Sequence, residues 1–257
     1  MENYKLIKNR KSITITHAIT LILGITKINT MRIFFVLFIV GWSGAIQAQT
    51  LLPKIGATYA RISYEDNEDY KPIVGLTVGV GYNILVSKNL SVQPELNFVQ
   101  KGSSSTDSYT DFPYGGGFEN IKLTTKTRLG YLQVPILVKM NLGKFYFNAG
   151  PSIGYGLKGK EEYKLSSSGE DRFGDPISVS HKTKFNVKFG APPDNYNGDD
   201  RFVDNRMNFS VQVGGGVMVM DKVNIDVRYG LGLSNMMDES KSKHRVLQLT
   251  LGVPVQL

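Results

Sequence analysis

From about residue 50 to the carboxyl end, apolar residues return at every second position, segment after segment. That period belongs to a β-strand, whose side chains point alternately to two faces. In the last segment Leu247, Leu249, Leu251, Val253, Val255 and Leu257 alternate with Gln248, Thr250, Gly252, Pro254 and Gln256. In the one before, Val223, Ile225, Val227, Tyr229, Leu231 and Leu233 alternate with Asn224, Asp226, Arg228, Gly230, Gly232 and Ser234. Eight segments follow the rule, at about 53–62, 72–85, 89–101, 129–141, 144–158, 207–220, 223–234 and 244–257. Each approaches the roughly 9–11 residues that a tilted strand needs to cross a bilayer. Pro94, Pro135, Pro151 and Pro254 fall inside these segments. Each lacks a ladder donor, so local bulges are expected there.

The connections alternate between tight (86–88, 142–143, 221–222) and longer (63–71, 102–128, 159–206, 235–243). This rhythm is that of an antiparallel up-and-down barrel in an outer membrane, with turns in the periplasm and loops outside. Period two alone leaves the faces unassigned, because a soluble ligand-binding barrel also alternates. Three features favour a polar interior. The polar face is rich in glycine (Gly75, Gly79, Gly81, Gly150, Gly154, Gly156, Gly214, Gly216, Gly230, Gly232), which suits a crowded lumen. Tyr and Phe sit near strand ends, as interfacial girdles do. The polar face also carries Lys54, Glu95, Lys139, Asp226 and Arg228, charges that must pair if buried. A luminal network joining Glu95 and Asp226 to Lys139 and Arg228 is expected, with a structural role.

The amino-terminal part reads as an address rather than a domain. Met31-Arg32 precedes the apolar run 33–40, and small residues lead to Ala48-Gln49. These are the parts of a secretory signal peptide over 31–48, with cleavage expected after Ala48. Residues 1–30 read as a spurious or extended leader, with Met1 and Met31 both candidate starts, and 49–257 as the barrel. The formal charge of +8 is concentrated there: residues 1–48 hold six basic residues and one acidic one. The remainder is near neutral, so no nucleic-acid partner is implied. The chain has no Cys, which excludes disulfides, thiolate metal sites and a cysteine nucleophile.

The segments 90–102, 131–139, 147–151 and 226–235 resemble hallmark strands of the PorT-like family of outer-membrane β-barrels. The resemblance covers about residues 50–257. It implies an eight-stranded all-β barrel of the bacterial outer membrane, in a family some of whose members are linked to secretion to the cell surface. Thr250, Gly252, Val255 and Leu257 resemble the terminal signal read by the barrel-assembly machinery, although that pattern usually ends in an aromatic residue.

Catalysis needs a base beside a nucleophile. Beyond the leader only His181 and His244 are present, and neither lies in a persuasive arrangement, so the chain is expected not to be an enzyme and to hold no cofactor or metal. The stretch 194–200 has the composition of a calcium loop but not its acidic spacing, and its Asn, Asp and Gly are ordinary turn formers. Lys241, Lys243 and Arg245 form a basic cluster that could meet lipopolysaccharide phosphates. The leading expectation is a non-enzymatic barrel embedded in outer-membrane lipid, its loops 102–128 and 159–206 contacting an envelope or external partner. A narrow pore and a soluble periplasmic barrel are the alternatives.

Overall fold

The computed structural model describes residues 50–114, except 65–69, together with 116–237 and 242–256. The expected leader, signal peptide and cleavage after Ala48 lie outside the described residues, as do Lys241 and Leu257. Among the described residues eleven strands are formed: β1 (Thr50–Tyr64), β2 (Lys71–Ser87), β3 (Leu90–Asp111), β4 (Gly117–Leu142), β5 (Phe145–Asp171), β6 (Pro176–Phe189), β7 (Arg201–Val203), β8 (Met207–Val219), β9 (Val223–Gly232), β10 (Ser242–Gly252) and β11 (Val255–Gln256). Eight of them close a ring in the order β1, β2, β3, β4, β5, β8, β9, β10 and back to β1, each pairing antiparallel. The lower part of β5 pairs with β8 through Phe145–Tyr155, and its upper part pairs with β6 through Gly159–Glu170.

The faces are unambiguous. Ile136, Val213 and Leu249 are 51%, 53% and 50% exposed, whereas Gln133, Gln212 and Gln248 are 2%, 2% and 4% exposed. Apolar side chains point out and amides point in, the reverse of a soluble barrel. In water such a belt would be an aggregation surface; in lipid it is matched. On β4 the belt runs from Leu132 to Leu142. At the usual rise and tilt that is about 25 Å along the membrane normal, the height of a barrel's apolar band.

At one end of the ring the turns are tight. Met220 and Asp221 both have positive φ (51° and 54°), and the Lys222 amide donates to the Val219 carbonyl at 3.1 Å. The hairpin turn is therefore centred on Met220-Asp221, one residue earlier than the sequence suggested. Its paired positive φ values are those of a two-residue turn matching strand twist.

At the other end the structure departs from expectation. Residues 102–128 and 159–206 are not mainly loops. β3 and β4 continue past the ring, paired up to Asp111 opposite Glu119, and β5 and β6 pair up to Glu170 opposite Pro176. Neither face of this extension is buried in a core, so its Ser, Thr and Lys residues show no hydrophobic period, although Thr and Tyr favour strands.

The bulges expected at the prolines are absent. Register is continuous through Pro94, Pro135 and Pro151. The shifts occur instead between Pro72 and Thr77, between Leu85 and Ser87, and at Gly130/Tyr131. Pro254 does interrupt the last strand, separating β10 from β11, which resumes pairing with β1 at Leu51.

Candidate functional site

The lumen is a stack of polar layers. At its centre the Glu95 carboxylate, on β3, accepts from four side chains. Arg228 on β9 donates through Nη1 to Oε2 at 2.8 Å and through Nη2 to Oε1 at 3.2 Å. Lys54 on β1 donates to Oε2 at 2.5 Å, Gln93 to Oε1 at 2.6 Å, and Asn97 to Oε2 at 2.9 Å. A buried carboxylate is tolerable only when paired and solvated in this way.

Asp226 lies next to this group. Arg228 Nε stands 2.8 Å from its Oδ1, off the N–H axis, so the contact is an ion pair rather than a hydrogen bond. Asp226 Oδ2 accepts from the Tyr146 hydroxyl at 2.7 Å and from Asn148 Nδ2 at 2.8 Å. The same hydroxyl lies 2.8 Å from Asn224 Oδ1, while Asn224 Nδ2 has no partner. A phenol has one proton. Turning the Asn224 amide lets its nitrogen donate to the hydroxyl, whose single proton then goes to Asp226.

Glu95, Asp226 and Arg228 thus meet, but Lys139 does not join them by an ion pair. Its Nζ sits 3.7 Å above the centroid of the Tyr146 ring, whose hydroxyl donates to Asp226. Lys54, which the expected network left out, pairs with Glu95 instead. Glycine makes the room: a Cβ on Gly214 would lie 2.7 Å from Arg228 Cγ, and one on Gly216 would collide with the Tyr146 hydroxyl.

Toward the extended end lies a second layer. Lys101 is fully buried, donates to Asn208 Oδ1 at 2.9 Å and lies 4.9 Å from the Tyr131 ring centroid. The Tyr131 hydroxyl is 3.2 Å from His244 Nε2. Beneath this layer is a cavity of only about 10 Å³. Above it an apolar cluster forms a lid, with Ile62, Leu129 and Tyr131 from the ring meeting Val187, Phe189, Val203 and Met236. Arg206 fastens it by donating to the Phe189 carbonyl at 2.8 Å, and Gly190 donates to Val203 at 2.9 Å. Sequence reasoning missed this lid; its only signal was isolated apolar residues within a polar stretch. Toward the turn end a vestibule of about 430 Å³ opens below Gln93, Lys139 and Asn224.

Of the other candidates, His181 is exposed on β6 and His244 is buried against Tyr131. In the stretch 194–200, Asp200 pairs with Lys188 at 2.5 Å and its amide donates to the Tyr196 hydroxyl at 3.1 Å, which fits a turn. Lys243 and Arg245 are exposed on β10. Thr250 and Gly252 face the lumen, and Val255 pairs with Leu51.

An apolar exterior around a charged, hydrogen-bonded interior defines a transmembrane β-barrel. The chain belongs to the family described as outer membrane protein beta-barrel domain, which matches residues 40–238; that match does not confirm the PorT-like resemblance. No curated protein matches the sequence. Among solved structures, the chain is similar to Ail, the attachment invasion locus protein of Yersinia pestis. The identity is 13%, with 82% of this chain and 100% of that one covered and a TM-score of 0.38. It is also similar to Neisserial surface protein A, at 11% identity, 80% and 97% coverage and a TM-score of 0.35. A third similarity is to CarO2 of Acinetobacter baumannii, at 10% identity, 80% and 99% coverage and a TM-score of 0.31. Scores this low carry no functional argument. Family and faces together make this an outer-membrane β-barrel protein.

Proposed function

We propose that this barrel is a closed, non-enzymatic scaffold that carries the β3–β6 extension outside the cell as a contact surface. The observation supporting the first half is the side-chain filling of the lumen. A lid of Phe189, Val203 and Met236 lies over Lys101 and Tyr131, and the Glu95–Arg228–Asp226 group fills the section beneath. An eight-stranded barrel has just enough interior for such side chains. The narrow-pore alternative would require both layers to move.

The second half rests on the extension. The tight turns take the periplasmic side and the extended hairpins the outer side, as such barrels are ordinarily oriented. The hairpin tips expose Phe112, Tyr114 and Phe173. Large exposed aromatic side chains are the usual anchors of protein contacts. A protein of the envelope or of the cell's surroundings is the fitting partner, and the PorT-like resemblance adds secretion as one setting for it. Thr250, Gly252, Val255 and Leu257 would present the chain to the assembly machinery.

Single-channel recording in planar bilayers tests the closed lumen. The wild-type chain should insert without stable openings, and steady conductance would overturn the scaffold reading in favour of the pore.

A further inference from the structure

Beyond the apolar belt, the outward face of β4, β5 and β6 changes character within two residues. On β4 the series Ile136, Val134, Leu132 continues as Gly130, Arg128 and Lys126. A groove of about 730 Å³ lies here, floored by Phe98 and Gly130 and walled by Lys126, Arg128, Lys158, Lys160, Lys184 and Lys188. Its volume is that of a small-molecule site.

Three carboxylates also line it, but each is engaged. Glu162 pairs with Lys182 at 2.8 Å and Asp200 with Lys188. Glu161 accepts from Thr127 at 2.9 Å and lies 3.6 Å from Arg201. Among the described residues, Arg128, Lys158, Lys160 and Lys184 have no carboxylate within ion-pair distance. Register makes the arrangement costly: Arg128 stands directly opposite Lys160 across the β4–β5 ladder. Like charges opposed on one face of a sheet repel, and a bound anion between them removes the penalty.

Position identifies the anion's carrier. Arg128 is four residues beyond Leu132, about 10 Å along the membrane normal at the usual rise and tilt. That is headgroup depth, and the apolar floor of the groove is continuous with the belt below it. A ligand suited to both parts has acyl chains along the belt and phosphate among the cations. We propose that this groove seats the phosphate-bearing headgroup of an outer-leaflet lipid, with Arg128, Lys158 and Lys160 as its anion ligands. The site is separate from the basic cluster at Lys243 and Arg245, and it rests on the membrane orientation given above.

The test uses the full chain folded in neutral detergent, with a bis-phosphorylated glucosamine-disaccharide lipid, its dephosphorylated form and inorganic phosphate as probes. Native mass spectrometry reads retention, and heat-modifiable gel migration reports the fold. The phosphorylated lipid should remain bound, with the dephosphorylated form at least about tenfold weaker, as expected for losing charge-assisted contacts. Arg128→Gln with Lys160→Gln should weaken retention by a similar factor, as should Lys158→Gln with Lys184→Gln. Lys71→Gln with Lys222→Gln, outside the groove, should leave retention unchanged. Equal retention of the dephosphorylated lipid, or unchanged retention in folded groove variants, overturns the proposal. Displacement of the lipid by millimolar inorganic phosphate also overturns it, showing a free-ion site. Failure of the chain to insert in bilayers or to show heat-modifiable migration would strike the membrane reading itself and is seen before any lipid is added.

Discussion

The Arg228 guanidinium grips both oxygens of Glu95 from the opposite wall of the barrel. β3 and β9 lie four strands apart whichever way the ring is followed, so this pair spans the diameter. Removing one partner leaves a buried charge only partly compensated by Lys54. Arg228→Met should therefore cost about 3–5 kcal/mol and lower the temperature at which the folded gel band is lost. Arg228→Lys should recover little, because an ammonium cannot make the paired contact. Adding Glu95→Gln to Arg228→Met should restore part of the loss, and strict additivity would argue against the pair.

Lys54 and Lys139 separate an ion pair from a ring contact. Lys54→Met strips a direct partner from Glu95, whereas Lys139→Met removes a cation from the Tyr146 face. The latter contact is worth about 0.5–2 kcal/mol. Heat-modifiable migration should rank Lys54→Met as the more damaging. The reverse order would make Lys139 a working member of the charge network, as the sequence led one to expect.

Gly216 lies against the Tyr146 hydroxyl, in the space a side chain would need. Gly216→Ala should displace that ring, break its bond to Asp226, and cost about 1–3 kcal/mol as overpacking. Intrinsic tyrosine fluorescence and gel migration together would show it. Gly143→Ala is a useful contrast, since nothing lies near its missing Cβ but its φ is +64°. Its cost is backbone strain alone.

The lid should loosen independently of the barrel. Phe189→Ala removes the ring that packs edge-on against Tyr131 at 5.4 Å. Protease cleavage within 190–200 should rise sharply, while the transmembrane strands keep their protection against hydrogen exchange. Because the Glu95 layer remains, conductance should stay absent; a pore opened by this substitution alone would show that the lid is the only seal.

Acid should act on the same segment. The Lys188 ammonium, donating to Asp200, holds that carboxyl below the usual carboxylate range, and the Tyr196 hydroxyl adds to the effect. Asp200 in turn raises Lys188. A depressed carboxyl contributes its stability above its ordinary pKa and loses it as the pH falls through the lower folded value. Cleavage within 190–200 should thus be flat through neutrality and rise only in acid below the carboxylate range. Asp200→Asn should abolish that rise.

Much of the ring is readable in the residues. Alternation at 207–252 places Gln212, Asp226, Arg228 and Gln248 on one face, and the structure buries that face. Which charge meets which is not readable, because partners across the lumen depend on stagger as well as parity. Lys54 and Lys139 share a face, and the curl of β1 over the glycines of β2 brings Lys54 to Glu95. The extension at 103–128 and 159–186 escaped detection for a different reason. A sheet with no core on either side imposes no hydrophobic period, so strand and loop look alike there. Phe189, Val203 and Met236 are single apolar residues far apart in sequence, and their meeting is purely tertiary.

The diametric grip of Arg228 on Glu95 has a consequence for how the barrel is made. The two charges cannot neutralise one another while the sheet is open, since they approach only when β1 reaches β10. An open, curled sheet entering lipid would leave Glu95 with Lys54 alone and Arg228 with Asp226 alone, each only partly compensated before hydrocarbon. Zipping the seam therefore completes the neutralisation of the interior, and until it happens the concave side is best kept in a watered chamber.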